Sequence, residues 1–117
     1  MAGGSHDYLD DQRNASILIS INGELFSRDD AKVSVFDSGF MLGDGVWEGI
    51  RLHKGRLLFL EAHMERLYEG AKAIDMDIGL SPEQMVTRID EVLAGNSMDT
   101  DVHIRLMVTR GIKSTPY

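Results

Sequence analysis

Apolar and polar residues alternate with the period of a strand along the first half of the chain. In the stretch 17–26, ILISINGELF, the dipeptide Asn22-Gly23 separates two β-prone runs. That dipeptide tolerates the positive φ angles of a tight turn, so a β-hairpin is expected. In AKVSVFD (31–37), Val33 and Val35 alternate with polar neighbours and predict a third strand. SGFMLGDG follows as a loop carrying Gly39, Gly43 and Gly45. VWEGIRLH and RLLFL are two more strand-like runs, and Lys54-Gly55 between them predicts a second hairpin.

The period then lengthens. Leu60, Met64, Leu67, Ala71 and Ile74 fall on one stripe of a helix, with Glu61 in the first turn, where the helix dipole favours a carboxylate. A second helix is expected from Ser81, which can cap it, with Pro82 at the first helical position and Gln84 completing a capping box. Met85, Ile89, Val92 and Leu93 form its apolar side, and Gly95-Asn96 ends it. Finally Val102, Ile104, Leu106 and Val108 alternate with His103, Arg105, Met107 and Thr109, a strand with one apolar and one chemically rich face. Strands, two helices and a returning strand predict an α+β fold, a mostly antiparallel sheet with two helices packed on one side.

Composition narrows the function classes. The 117 residues suit a single domain. A net charge of −7 argues against nucleic acid, which calls for a basic face. It does not exclude a phosphorylated small ligand, because salt screens diffuse charge within about 8–10 Å. The absence of cysteine excludes disulfides and thiolate metal sites and favours a reducing compartment. The longest apolar run is too short to span a bilayer. MAGGSHDYLDDQRN carries acidic residues where a signal peptide needs a basic end. Residues 1–14 therefore read as a flexible lead-in to a domain over 15–117, with a cytoplasmic location and no membrane partner expected.

Three places carry candidate chemistry. Arg66 lies roughly 120° from the centre of the first helix's apolar stripe, flanked by His63 and Gly70. The glycine leaves a gap through which a ligand can approach. A guanidinium suits phosphate because its planar fork donates paired hydrogen bonds and stays charged; the alternative is an exposed arginine paired with Glu65 or Glu69. The block DSGFMLGDGVWEGIR (37–51) lacks G-x-G-x-x-G spacing and leads into a strand, so it fails as a dinucleotide loop. Within it Trp47 and Glu48 lie on opposite faces of that strand, and Trp47 either lines a pocket or fills the core. On the last strand Arg105 shares a face with His103, Met107 and Thr109. Buried, it needs an anionic partner; exposed, it needs none. Spacing fixes no ligands beyond Asp99, Asp101 and His103 and no nucleophile triad, so no metal-binding or catalytic residue is assigned.

Taken together, the ING turn (Ile21 to Gly23), the block DSGFMLGDGVWEGIR, the helix start LEAHMERLYEGAKAI and VTRG (Val108 to Gly111) resemble the class IV, or fold-type IV, pyridoxal-phosphate-dependent aminotransferases. That family includes branched-chain and D-amino-acid aminotransferases and aminodeoxychorismate lyase. In it, the arginine of an H-x-x-R-L pattern holds the cofactor phosphate, and the resemblance implies that role for Arg66 in His63-Met64-Glu65-Arg66-Leu67. Trp47 occupies the position of an aromatic that lines the substrate pocket, usually Phe or Tyr. Branched-chain relatives carry Tyr-x-Arg on the returning strand. His103-Ile104-Arg105 keeps the arginine alone, which implies polar contacts near the substrate for Arg105, and Leu42 stands where those relatives have a loop tyrosine. D-amino-acid relatives place an Arg and a His soon after T-R-G, and Ile112 to Tyr117 hold neither.

The resemblance implies the small N-terminal domain of a transaminase that moves an amino group between an amino acid or amine and a 2-oxo acid, with pyridoxal phosphate as cofactor and a homodimer as assembly. The family's cofactor-binding lysine lies in a C-terminal domain. Lys32, Lys54, Lys72 and Lys113 match neither its motif nor its place, so this chain, ending at STPY just past the returning strand, is expected to be inert by itself. Two rivals stand: a lyase of the same family, like aminodeoxychorismate lyase, and a non-catalytic binding or dimerisation module. The enzyme reading depends on Arg66 standing beside an anion-sized hollow and not in bulk water.

Overall fold

The computed structural model describes residues 10–115. Strands β1 (Leu18–Ile21) and β2 (Glu24–Ser27) form the first hairpin. Asn22 and Gly23 take φ values of 53° and 84°, the left-handed pair that a two-residue turn needs to follow strand twist. Helix α1 (Ser38–Leu42) leads into the long strand β3 (Gly45–His53), which turns at Lys54-Gly55 into the short β4 (Arg56–Leu57). Helices α2 (Leu60–Ala73) and α3 (Pro82–Gly95) follow, and β5 (Val102–Thr109) returns antiparallel beside β3.

The α+β architecture is as expected, with one difference in the sheet. The strands make two antiparallel sheets, β1-β2 and β4-β3-β5. The hairpin is tied to the rest by a side chain that imitates a strand: Asn96 Oδ1 accepts from the Leu18 N–H at 2.7 Å, and Asn96 Nδ2 donates to the Leu18 carbonyl at 2.9 Å. The helices cover one side of the larger sheet. Ile50, Met64, Leu67, Met85 and Ile89 form the buried cluster, with Ile104, Leu106 and Val108 packed against it. The register pairs Trp47 with Met107, Gly49 with Arg105 and Ile50 with Ile104. Because side chains alternate along a strand, that register sends Glu48 and Ile50 toward the helices and Trp47 and Arg105 to the open face.

The α3 capping box forms in both directions between Ser81 and Gln84, as its sequence predicts. Three other expectations need correction. AKVSVFD is no strand: Val33 and Val35 are 63% and 65% exposed, and its one ladder contact is the bridge between Asp37 and Ile112. An alternating pattern makes a strand only where an edge is available to pair with it. SGFMLGDG is not all loop, because Asp37 caps α1 by accepting from the Gly39 N–H, and Gly43 closes it at φ 66°. Of the flexible lead-in expected over 1–14, residues up to 9 lie outside the described ones. Its end is held: Gln12–Ser16 is a 3-10 helix, and Arg13 donates to the carbonyls of Thr100 and Asp101 at the entrance to β5.

Candidate functional site

Strand β3 puts a carboxylate on its apolar side. Glu48 lies in phase with Ile50 and Leu52 and is 4% exposed, so its charge needs partners. Helix α2 supplies two, three residues apart on one flank. Arg66 Nε donates to Glu48 Oε2 at 2.8 Å, and Arg66 Nη2 donates to Oε1 at 2.6 Å. His63 Nδ1 lies 2.6 Å from the same Oε1. The paired bonds from Arg66, joined by His63, outweigh burial and hold the Glu48 carboxyl down from an ordinary 4.5 to about 2.

Arg66 is exposed and ion-paired, as the simpler alternative expects, but to a different carboxylate. It pairs with neither Glu65 nor Glu69, and its side chain is 73% exposed. The anion-sized hollow expected beside it is not found among the described residues: hollows of about 490 and 570 Å³ lie beside Leu57, Leu93 and Met98 and beside Tyr68, Pro82 and Val86, and Arg66 lines neither. The guanidinium is nevertheless held. Nε and Nη2 are committed to Glu48, while Nη1 has no hydrogen-bond acceptor among the described residues. Gly70 opens no passage to it. A Cβ there would lie 3.3 Å from Val46 Cγ1, so the missing side chain lets α2 settle on β3.

The remaining candidates gather on the other face of β3. Trp47 is 57% exposed, and the guanidinium carbon of Arg105 sits 4.7 Å from a Trp47 ring centroid, a cation–π contact. The His103 ring lies over Gly49, where a Cβ would come within 2.9 Å of His103 Cε1. Gly49 thus clears the strand for the imidazole. Arg105 is exposed and needs no buried anion. An exposed surface of one indole, one guanidinium and one imidazole can stack a planar group and receive a carboxylate. No hydrogen bond or ring contact joins Arg66 to Trp47 or Arg105 among the described residues. The two groups meet only through consecutive residues of β3.

Sequence reasoning placed Glu48 opposite Trp47 but gave it no role. The signal was its phase: Val46, Glu48, Ile50 and Leu52 alternate, and one acid among three aliphatics is a buried charge seeking a partner. Arg110 was also passed over. It donates to both carboxylate oxygens of Asp44 and to the carbonyls of Ile74 and Asp75, fastening the end of α2 to the turn before β3.

The family model for amino-transferase class IV matches residues 45–116, from the start of β3 to just beyond β5. A Methanocaldococcus jannaschii protein that carries a branched-chain-amino-acid aminotransferase name is 47% identical over 94 residues, 80% of this chain and 32% of that protein. A D-alanine aminotransferase of Listeria monocytogenes is 35% identical over 96 residues, 82% of this chain and 33% of its own. The branched-chain aminotransferase of the thermophilic archaeon Thermoproteus uzoniensis, solved with norvaline, superposes with a TM-score of 0.72 at 31% identity, over 87% of this chain and 35% of that one. The chain spans about a third of the length of the two curated relatives. With β3, α2 and β5 all inside the matched stretch and the fold shared, this chain belongs to the class IV aminotransferase family.

Proposed function

We propose that this chain is the N-terminal part of a pyridoxal-phosphate-dependent transaminase, which when complete moves an amino group between an amino acid or amine and a 2-oxo acid. The observation that carries the reading is the Arg66 guanidinium, held by Glu48 with its outer edge open, inside the family's H-x-x-R-L pattern. That edge fits the phosphate end of the cofactor, because paired N–H donors on a fixed plane match phosphate oxygens. Arg66 clamps the phosphate, Trp47 shapes the substrate pocket, and Arg105 meets the substrate's polar end. Bound pyridoxal phosphate supplies an electron sink for the carbon that gains or loses the amino group. The role of this chain is to bind and orient.

In this reading residues 15–117 are a small N-terminal domain, and the lysine that takes the cofactor covalently lies outside them. Lys32, Lys54 and Lys72 are exposed and Lys113 is half-buried. None is hydrogen-bonded to Glu48, His63 or Arg66 among the described residues. On this reading the chain alone lacks transaminase activity, because none of its four lysines matches the family's motif. The names of the relatives, branched-chain and D-alanine aminotransferases, favour amino transfer over the lyase alternative and over a non-catalytic module. A homodimer and a cytoplasmic location complete the reading, supported by the family likeness and by a sequence without cysteine. No helix among the described residues is long and apolar enough to cross a membrane.

The test is Arg66→Ala in the complete protein. Loss of charged hydrogen bonds should weaken retention of pyridoxal phosphate about tenfold to a hundredfold, measured by dialysis and cofactor absorbance. Unchanged affinity would remove Arg66 from the site.

A further inference from the structure

We propose that Glu48 is a positioning residue for phosphate binding: it does not touch the anion but aims the Arg66 guanidinium at it. The inference rests on the reading of Arg66 as phosphate anchor. An exposed arginine samples many rotamers, and fixing one for a ligand costs side-chain entropy. Arg66 is 73% exposed, yet the side edge of its fork, Nε and Nη2, is bound to a carboxylate that is 4% exposed. That carboxylate cannot follow the arginine's motion. Its backbone sits mid-strand, paired with Leu106 of β5, and His63 Nδ1 lies 2.6 Å from Oε1, the oxygen that also accepts from Arg66 Nη2. Nη1 and the second hydrogen of Nη2 are left facing outward, already arranged for an anion before it arrives.

Charge and orientation act with opposite signs here. By charge alone, Glu48 offsets the positive field of Arg66, and neutralising it should strengthen the grip on phosphate. By orientation, neutralising it frees the guanidinium and weakens the grip. The orientation effect should win. The anion binds the same planar fork, and two bonds from one rigid plane are lost together when that plane turns.

The experiment compares the affinities of the complete protein for pyridoxal 5'-phosphate and for pyridoxal, whose ratio isolates the contribution of the phosphate. Glu48→Gln, which keeps the shape and removes the charge, should lower that ratio about tenfold, the scale of one charged hydrogen bond. In an Arg66→Ala background it should lower it no further, because both changes remove the same interaction. A ratio that is unchanged or raised in Glu48→Gln, with Arg66→Ala still lowering it, overturns the positioning role and leaves the anchor standing. A ratio unchanged by Arg66→Ala takes down the anchor and this inference with it. A second readout needs neither ligand nor variant: nitrogen-15 spectra of the unliganded wild type should show a sharp, slowly exchanging Arg66 Nε–H. A rapidly exchanging signal overturns the proposal even if every Glu48 variant fails to fold.

Discussion

Glu48, almost wholly buried, exchanges the hydration of a carboxylate for two bonds from Arg66 and a close contact with His63. That exchange has a consequence in acid. The folded carboxyl titrates at about 2 against an ordinary 4.5, so between those values the unfolded chain binds more protons than the folded one. The stabilisation is complete above pH 4.5 and is lost as pH falls toward 2. Urea unfolding at stepped pH should therefore show stability falling through this window. Glu48→Gln should be less stable at neutral pH yet flatter across it, and a wild-type slope in the variant would assign the acid sensitivity to other carboxylates, such as Asp44 beside Arg110. The place of Arg66 on the flank of α2 was legible from its helical phase. Its partner was not, because a contact between β3 and α2 joins residues 18 apart, and no local spacing encodes it.

Where elements are defined by their own neighbours, sequence and structure agree. The Asn22-Gly23 and Lys54-Gly55 turns, the stripe of α2 and the capping box of α3 all depend on residues within one or two turns of each other. The strand expected over 31–37 failed because pairing is non-local, and α1 was missed because five residues are too few for a periodic signal. The join between hairpin and α3 is non-local too, and it makes a prediction. Asn96 satisfies both backbone groups of Leu18 and also donates to the Val92 carbonyl. Asn96→Ala leaves those groups unpaired in a half-buried place and should cost about 1–2 kcal/mol, read by urea denaturation. Hydrogen exchange at the Leu18 amide should quicken more than at Ile50 in the core. Equal quickening at both would show that the hairpin does not open separately. Ser81→Ala should cost about 1 kcal/mol through the lost cap, with no change in hairpin exchange.

At the scale of the molecule, one side is finished and the other is not. The helices seal the core, but Val35, Phe40, Leu42, Trp47, Met107 and Ile112 are all exposed on the segments that precede β3 or on the strands and turn beyond. Large apolar side chains left in water favour association, which removes their surface from solvent. The chain by itself should therefore associate as its concentration rises, in sedimentation velocity, and Phe40→Ser should reduce the association without lowering the melting temperature. Exposure bears on reactivity as well. A lysine becomes a nucleophile at neutral pH when burial or a neighbouring cation disfavours its ammonium form. Lys32, Lys54 and Lys72 stand in solvent and Lys113 lies beyond β5. Incubating the chain with pyridoxal phosphate, reducing with borohydride and mapping the label should thus find Lys32, Lys54 and Lys72 modified to similar extents and the half-buried Lys113 no more than these. One lysine labelled far ahead of the rest would mean that these 117 residues contain an active amine of their own, and the chain would no longer need a lysine from elsewhere.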